Sequence, residues 1–437
     1  MKDCGAIRCG AVLLAVSSSA LSCRGLEFSV VPDHADHLYK RGETAKFAVV
    51  VTDGGNAATN GTVRAWLDNT GQDVQARQEW NLSETNAFVV AGELAEPGFL
   101  TLHLESPGSG ESLWSVGFEP ESIRKGSSSP EDFDEFWANA RRRLAEEVPL
   151  DPVVTEVPLW STEKCSFYRI SFATFGRRVH GFMSVPKDST KGPFPVNFGV
   201  NPAGFGWWTN DLEVRDDAVC VQFSVYPFEM DLRWEDLGLK EKFFDPLNAE
   251  SKRRFGTEYQ CGGISLSRED YFYYPVILGI DRAVDWLAAR PYVDGRRICY
   301  QGTSQGGGIG IALCALNHRF AKAAFYVPAL TDLMGYKAGR RSGWPMLVES
   351  NSATPEARAA AERNAPYFDA ANFASRIACP VRFAVGFSDP TCPPCAVYAT
   401  YNEIKVKDKE ILNGFGMTHS CFGEFYGRLG DWIREAR

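Results

Sequence analysis

Three residues far apart in the chain have the types that acyl-transfer chemistry needs: Ser304, Asp389 and His419. Ser304 stands in Gly302-Thr-Ser304-Gln-Gly306, after the β-branched and aromatic run Ile298 to Tyr300 and before an apolar run from Ile309 to Leu316. Strand, tight turn and helix in that order are the context of a nucleophile elbow, whose strained turn lifts the serine hydroxyl above the sheet. Glycines two residues before and after the serine are needed there, because a Cβ would collide with the neighbouring strand or helix. The Gln305 amide then lies at a helix N-terminus, aimed where a tetrahedral oxyanion would form.

A serine hydroxyl is a weak nucleophile until a base removes its proton and a third group orients that base. Of six histidines only His318 and His419 follow Ser304, and in hydrolases of this architecture the chain order is serine, acid, histidine. His318 falls at the end of the elbow helix, which carries it away. His419 lies in Gly414-Phe-Gly-Met-Thr-His419, a Gly-rich loop after a strand. Asp389 directly follows the strand Val381 to Phe387, and strand ends are where site residues gather in open α/β sheets. Asp332, after the strand Ala321 to Val327, is the alternative acid. A second oxyanion donor is expected from Asn201-Pro-Ala203-Gly204, with Ala203 first and Gly204 next, since small residues permit close backbone approach. Trp207 and Tyr226, on adjacent loops, are expected to wall the substrate pocket, although core packing accounts equally well for either.

The elements that must position these residues read as alternating strands and helices across 121–437. Strands are expected at 167–173, 180–185, 196–200, 218–225, 297–301, 321–327, 381–387 and 410–412, and a long helix at 274–289. This pattern predicts a mostly parallel sheet with helices on both faces. Ser129-Pro-Glu-Asp132 reads as a capping box opening the first helix, whose buried face is Phe133, Phe136, Trp137, Ala140 and Leu144. Residues 26–118 instead show about six short strands with turn residues between, which predicts a small immunoglobulin-like β-sandwich. Its Trp66, Trp80 and Trp114 read as core aromatics. Residues 229–268 form a polar excursion without periodicity.

A chain of 437 residues suggests two domains. Its formal charge of −9 argues against nucleic acid or an anionic membrane as partner. Residues 1–22 read as a signal peptide: Lys2 and Arg8 precede the apolar stretch Gly10 to Leu21, and Ala20-Leu-Ser22 suits cleavage before Cys23. Cys23 also stands where a lipoprotein carries its lipid, so the expectation is an exported protein, free or anchored at the cell surface. Nine dispersed cysteines beyond Cys23 do not make a disulfide scaffold. Cys392-Pro-Pro-Cys395 reads as a small buried pair, at most one disulfide. No zinc constellation and no dinucleotide fingerprint appear, so no metal or organic cofactor is expected.

Several segments together resemble the acetyl xylan esterase and cephalosporin C deacetylase family of α/β hydrolases. They are Pro130-Glu-Asp-Phe-Asp-Glu-Phe-Trp137, Val293-Asp-Gly-Arg-Arg-Ile298, Gly302-Thr-Ser-Gln-Gly-Gly307 with Val327-Pro328, Phe368-Asp-Ala-Ala-Asn-Phe373, Cys379-Pro-Val381, Val385-Gly-Phe-Ser-Asp389, and Cys392-Pro-Pro with Tyr401-Asn402. The resemblance covers roughly 121–437. It implies an α/β-hydrolase fold, triad roles for Ser304, Asp389 and His419, an oxyanion amide at Gln305, and an acetylated carbohydrate as substrate. Three motifs depart from the family pattern: Asn201-Pro-Ala203 replaces His-Gly-Tyr, Val225-Tyr226-Pro227 or its neighbours replace Arg-Gly-Gln, and His-Glu becomes His419-Ser420. These changes surround the pocket, so hydrolysis is expected while the acyl and alcohol preferences stay open. The family's hexameric assembly does not carry over, because the added sandwich could block or replace its contacts. The competing expectations are a peptidase or other acyl hydrolase of the same fold, and a glycan-binding surface protein without turnover.

Overall fold

The computed structural model describes residues 26–435 except 75, 109, 205–213 and 230–237. The expected signal peptide and Cys23 lie outside the described residues. The first part of the chain supplies strands β1 (Glu27–Pro32), β2 (Leu38–Tyr39), β3 (Ala45–Asp53), β4 (Asn56–Ala57), β5 (Thr62–Asn69), β6 (Gln72–Asp73), β7 (Gln78–Asn81), β8 (Ala87–Gly92), β9 (Gly98–Ser106) and β10 (Gly110–Phe118). In one sheet β3 pairs antiparallel with β1, β4 and β8; the other runs β2-β10-β9-β5-β6, with β7 also on β5. Along β3, Ala45, Phe47, Val49 and Val51 are buried while Lys46, Ala48 and Val50 face out, the period-two pattern of a half-buried strand. The buried faces of both sheets share one core, with Val49 and Leu102 among its residues.

The rest of the chain builds a nine-stranded sheet from β11 (Val153–Glu156), β12 (Cys165–Thr174), β13 (Arg177–Pro186), β14 (Phe194–Val200), β15 (Val219–Ser224), β16 (Val293–Thr303), β17 (Phe320–Tyr326), β18 (Val381–Gly386) and β19 (Lys409–Gly414). Its order is β11-β12-β13-β15-β14-β16-β17-β18-β19. The first three pairings are antiparallel and the other five parallel. The helices are α1 (Phe133–Glu147), α2 (Asp245–Phe255), α3 (Tyr273–Ala288), α4 (Gln305–Leu316), α5 (Leu347–Ser350), α6 (Pro355–Asn364), α7 (Ala370–Ala374), α8 (Pro394–Asn402) and α9 (Gly423–Arg434). Alternation along the strands gives the sheet two apolar faces. Tyr300, Phe325 and Phe383 pack with α3 and α4 in the main core, whereas Cys299, Ala324 and Leu412 pack under Leu429 and Ile433 of α9. Every residue of α4 from Gln305 to Ala315 is buried, as expected of a helix apolar all round.

Two local expectations need correction. The first helix begins at Phe133 with Asp132 as its N-cap residue, and no side chain caps it. The Asp132 carboxylate is taken by Tyr367 and Arg268 instead, and the Ser129–Asp132 capping box does not form. The polar excursion is partly helical: a π-helical turn, Lys240–Phe244, runs into α2. The crossing between the two parts of the chain is pinned. Gly126 N–H donates to Asp332 Oδ1 at 2.6 Å, and Asn402 Nδ2 donates to the carbonyls of Pro120 and Ile123, each at 2.9 Å.

Candidate active site

β16 delivers the chain to Ser304, and α4 begins at the next residue. Ser304 holds φ 53° and ψ −119°, a conformation that costs a non-glycine residue about 1–3 kcal/mol and persists only where the surroundings over-determine it. Here they do. Its N–H donates to Tyr326 O at 2.9 Å, and its carbonyl accepts from Gly308 N at 3.1 Å and Ala329 N at 2.9 Å. The flanking glycines are fixed by contact. A Cβ on Gly306 would stand 2.1 Å from Val200 O, and one on Gly302 would stand 2.7 Å from the Gly306 carbonyl. α4 therefore lies directly on the ends of β14 and β16, with the Gln305 N–H in its first turn and without an acceptor inside the helix.

His419 Nε2 lies 3.0 Å from Ser304 Oγ, and its Nδ1 lies 2.8 Å from Asp389 Oδ2. Asp389 follows β18 and His419 follows β19, so adjacent parallel strands deliver the carboxylate and the imidazole to the same sheet edge. The Asp389 side chain is fully buried; its Oδ1 accepts from Thr391 N at 2.8 Å and Cys392 N at 2.9 Å. A carboxylate only accepts, so Nδ1 carries the ring proton and Nε2 is left free to accept from the serine hydroxyl. The alternatives are placed elsewhere. Asp332 is buried at the crossing between the two parts, bonded to Gly126 and Arg340, and burial raises its carboxyl above the usual range. His318 is exposed beyond the end of α4.

Ser304 and His419 open onto a cleft of about 640 Å³, lined also by Ala203, Gln222, Gln301 and Tyr426. Ala203 thus stands on the side of the cleft where the second oxyanion donor was expected. Tyr226 does not wall the pocket. It is fully buried beneath the loop 201–204, where its hydroxyl donates to Gly204 O at 3.1 Å and lies 3.1 Å from the Tyr259 hydroxyl. Tyr259 and Tyr273 both donate to Gln305 Oε1, at 3.0 and 2.5 Å, and Gln305 Nε2 donates to Asn201 O at 3.2 Å. Burial pushes the Tyr259 phenol up to about 12, and those of Tyr226 and Tyr273 well above their ordinary value. All three remain neutral donors at physiological pH. This network ties the loop 201–204 to the first turn of α4 and was not anticipated; the only sequence signal for it is the tyrosine cluster Tyr271, Tyr273 and Tyr274 ahead of α3. Trp207 lies outside the described residues.

The acetyl xylan esterase (AXE1) family profile matches residues 120–432. The chain belongs to this family. It is similar to the acetyl esterase Axe7A of Xylanibacter ruminicola, with 30% identity over 386 residues, covering 87% of this chain and 84% of that one. Among solved structures it resembles the acetyl xylan esterase from Paenibacillus sp. R4, at TM-score 0.60 and 25% identity over 72% of this chain and 98% of that one. Acetyl xylan esterase 1 from Thermoanaerobacterium sp. JW/SL YS485 shares the fold, at TM-score 0.59 and 22% identity over 73% and 98%. The larger unit has the α/β-hydrolase fold, and this acetyl xylan esterase family member is a carboxylic ester hydrolase acting on acetyl esters. Beside the site, Cys392 and Cys395 are both buried free thiols, so the one disulfide considered for them does not form. Asp389, Cys392 and His419 each bring one potential metal-ligand atom within 4.8 Å of the others. Asp389 and His419 already hydrogen-bond each other, and His419 Nε2 also faces Ser304.

Proposed function

We propose that this acetyl xylan esterase family member removes acetyl groups from acetylated xylan or related saccharides through a Ser304–His419–Asp389 triad. Support comes from one observation above all: a buried carboxylate, an imidazole and a strained serine joined at 2.8 and 3.0 Å, at the mouth of a cleft. In the first half-reaction Ser304 Oγ attacks the acetyl carbonyl as His419 Nε2 takes its proton. The negative charge passes to the carbonyl oxygen, facing the amides of Gln305 and Ala203. Asp389 stabilises the imidazolium, which then protonates the departing sugar oxygen. In the second half-reaction water attacks the acetyl-enzyme, His419 takes its proton, and acetate leaves with Ser304 restored.

The sugar reading draws on the cleft itself. Gln222, Gln301 and Tyr426 all line it, and such polar and aromatic residues suit a ring that offers hydroxyls and apolar C–H faces. The leader supports export, where an acetylated plant polymer would be met, with Cys23 as the residue that would carry a lipid. The test is acetate release from acetylated xylo-oligosaccharides and from an aryl acetate, wild type against Ser304→Ala. Release from both, lost in the variant, is the expected result. Turnover of the aryl acetate alone would reject the sugar substrate, and a fully active Ser304→Ala would reject the triad.

A further inference from the structure

The β-sandwich touches the α/β unit at the two loops that carry Asp389 and His419. Those loops are already laced together: Phe387 N–H donates to Gly414 O at 3.0 Å and Ser388 N–H to Met417 O at 3.1 Å. They are also in direct backbone contact, since a Cβ on Gly386 would stand 2.4 Å from Thr418 O. The sandwich backs both. On the acid side, Phe99 from β9 makes a T-shaped contact with Phe387, ring centroids 4.9 Å apart, and Ser115 N–H of β10 donates to Ser388 Oγ at 3.1 Å in a buried bond. That amide is an edge group of β10, because β2 covers β10 only at Gly117 and Phe118. On the base side, Trp114 of β10 lies against Gly416, where a Cβ would stand 2.7 Å from its ring, and 5.4 Å from the ring of Phe415. His37 stacks on the opposite loop residue, Phe415, at 4.2 Å. Phe387 and Ser388 immediately precede Asp389, and Phe415 and Gly416 lie within four residues of His419.

We propose that the β-sandwich is a brace for the acid and base loops, with Trp114, Ser115 and Ser388 as positioning residues for the Asp389–His419–Ser304 alignment. The proposal rests on the triad roles assigned above. Consecutive residues of one strand, Trp114 and Ser115, hold the base loop and the acid loop, so β10 fixes the spacing between them. A displacement of the imidazole of about 1 Å would cost on the order of 10²-fold in turnover. It would leave ground-state binding in the cleft nearly untouched, because none of the bracing side chains lines that cleft.

The test uses the full chain and an aryl acetate. Trp114→Ala is expected to lower kcat about 10- to 100-fold with KM within about threefold, and to shift the acid limb of the kcat/KM profile that reports the imidazole. Ser388→Ala, which removes one hydroxyl and leaves the fold, is expected to lower kcat a few-fold in the same way. Val49→Ala is the control: it creates a cavity in the sandwich core within the sheet that holds β3, and should lower Tm while kcat of the folded protein stays within about twofold. Wild-type kcat and pH profile in both Trp114→Ala and Ser388→Ala would overturn the brace. So would a kcat loss in Val49→Ala equal to that in Trp114→Ala, since the effect would then be loss of fold. Ser304→Ala separates the two ideas: if it stays active the triad itself fails, whereas an inactive Ser304→Ala beside fully active Trp114→Ala and Ser388→Ala rejects the brace alone.

Discussion

Replacing Asp389 by asparagine keeps the shape of the side chain and changes one thing, which nitrogen of His419 carries the proton. Asp389 Oδ1 accepts from the amides of Thr391 and Cys392 at 2.8 and 2.9 Å, and Oδ2 faces His419 Nδ1 at 2.8 Å. In Asp389→Asn the amide oxygen must stay with the two backbone N–H groups. The flipped rotamer would set an NH2 group against both donors and leave them unsatisfied in a buried site, at about 1–3 kcal/mol each. The NH2 group therefore faces Nδ1, which has to become the acceptor. The proton moves to Nε2, 3.0 Å from Ser304 Oγ, and that nitrogen can no longer take the serine proton. A wrong tautomer of this kind costs about 10⁴-fold in kcat, or about 5 kcal/mol of transition-state stabilisation. The assay is steady-state hydrolysis of an aryl acetate, with Tm recorded beside it. Asp332→Asn is the companion, because it disturbs a buried ion pair with Arg340 that has no hydrogen bond to the Ser304, His419 or Asp389 side chains. It should cost about 3 kcal/mol of stability with kcat of the folded protein nearly unchanged. An Asp389→Asn enzyme that keeps a tenth of its activity at an unchanged Tm would refute the reasoning, and so would a folded Asp332→Asn enzyme that loses as much.

Gly306→Ala should abolish measurable esterase activity and lower stability by about 1–3 kcal/mol, because its Cβ would stand 2.1 Å from Val200 O and neither backbone can yield without moving the Gln305 amide; calorimetry beside the aryl acetate assay reads both effects. His180 gives a pH dependence of stability. Burial first, and then the neighbouring Arg178 and Arg177, lower its imidazole to about 4, so the fold holds it neutral while the unfolded chain protonates near 6.5. The stability it contributes is complete above pH 6.5 and is lost as pH falls towards 4, by about 2 kcal/mol at pH 5. Urea midpoints at pH 7.5 and 5 should therefore differ less in His180→Gln than in the wild type, and equal pH slopes would reject this.

What could be read from the chain followed from local constraints. Gly302-Thr-Ser304-Gln-Gly306 between an apolar strand and an apolar helix admits few backbones, and the structure adopts the elbow there. The eight strand expectations of the larger unit all fall on strands, most of them because β-branched or aromatic residues mark a buried run. β11 leaves no such mark for the complementary reason: all four of its residues are exposed, so an edge strand of this kind carries no burial pattern. The antiparallel start of the sheet was likewise invisible, since strand direction is settled by connections and not by strand composition. The failed capping box shows the same limit from the other side. Ser129-Pro-Glu-Asp132 has the right local chemistry, but Asp132 finds stronger partners in Tyr367 and Arg268, more than a hundred residues away.

Tyr226 and Trp114 mark where local reading runs out around the site. An aromatic residue after a strand at the C-terminal edge of an α/β sheet has two homes, the pocket wall or the layer beneath it, and its own type does not choose between them. For Tyr226 the choice is made by Tyr259 and Tyr273, whose hydroxyls converge on Gln305 and close the space below the loop 201–204. That convergence depends on the non-periodic stretch ahead of α3, which no spacing rule decodes. Trp114 alternates as a strand residue should and so reads as sandwich core, yet it meets Gly416 and Phe415 across the joint between the two units. Trp114 does pack against the sandwich core as well, so the sequence reading is incomplete there, whereas for Tyr226 the pocket-wall reading gives way to the layer beneath. A nucleophile or its base must carry a particular functional group in a particular turn, and this leaves a mark in the sequence. A positioning residue has only to fill a space whose far wall is built elsewhere in the chain, so its role becomes visible only when that wall is in place.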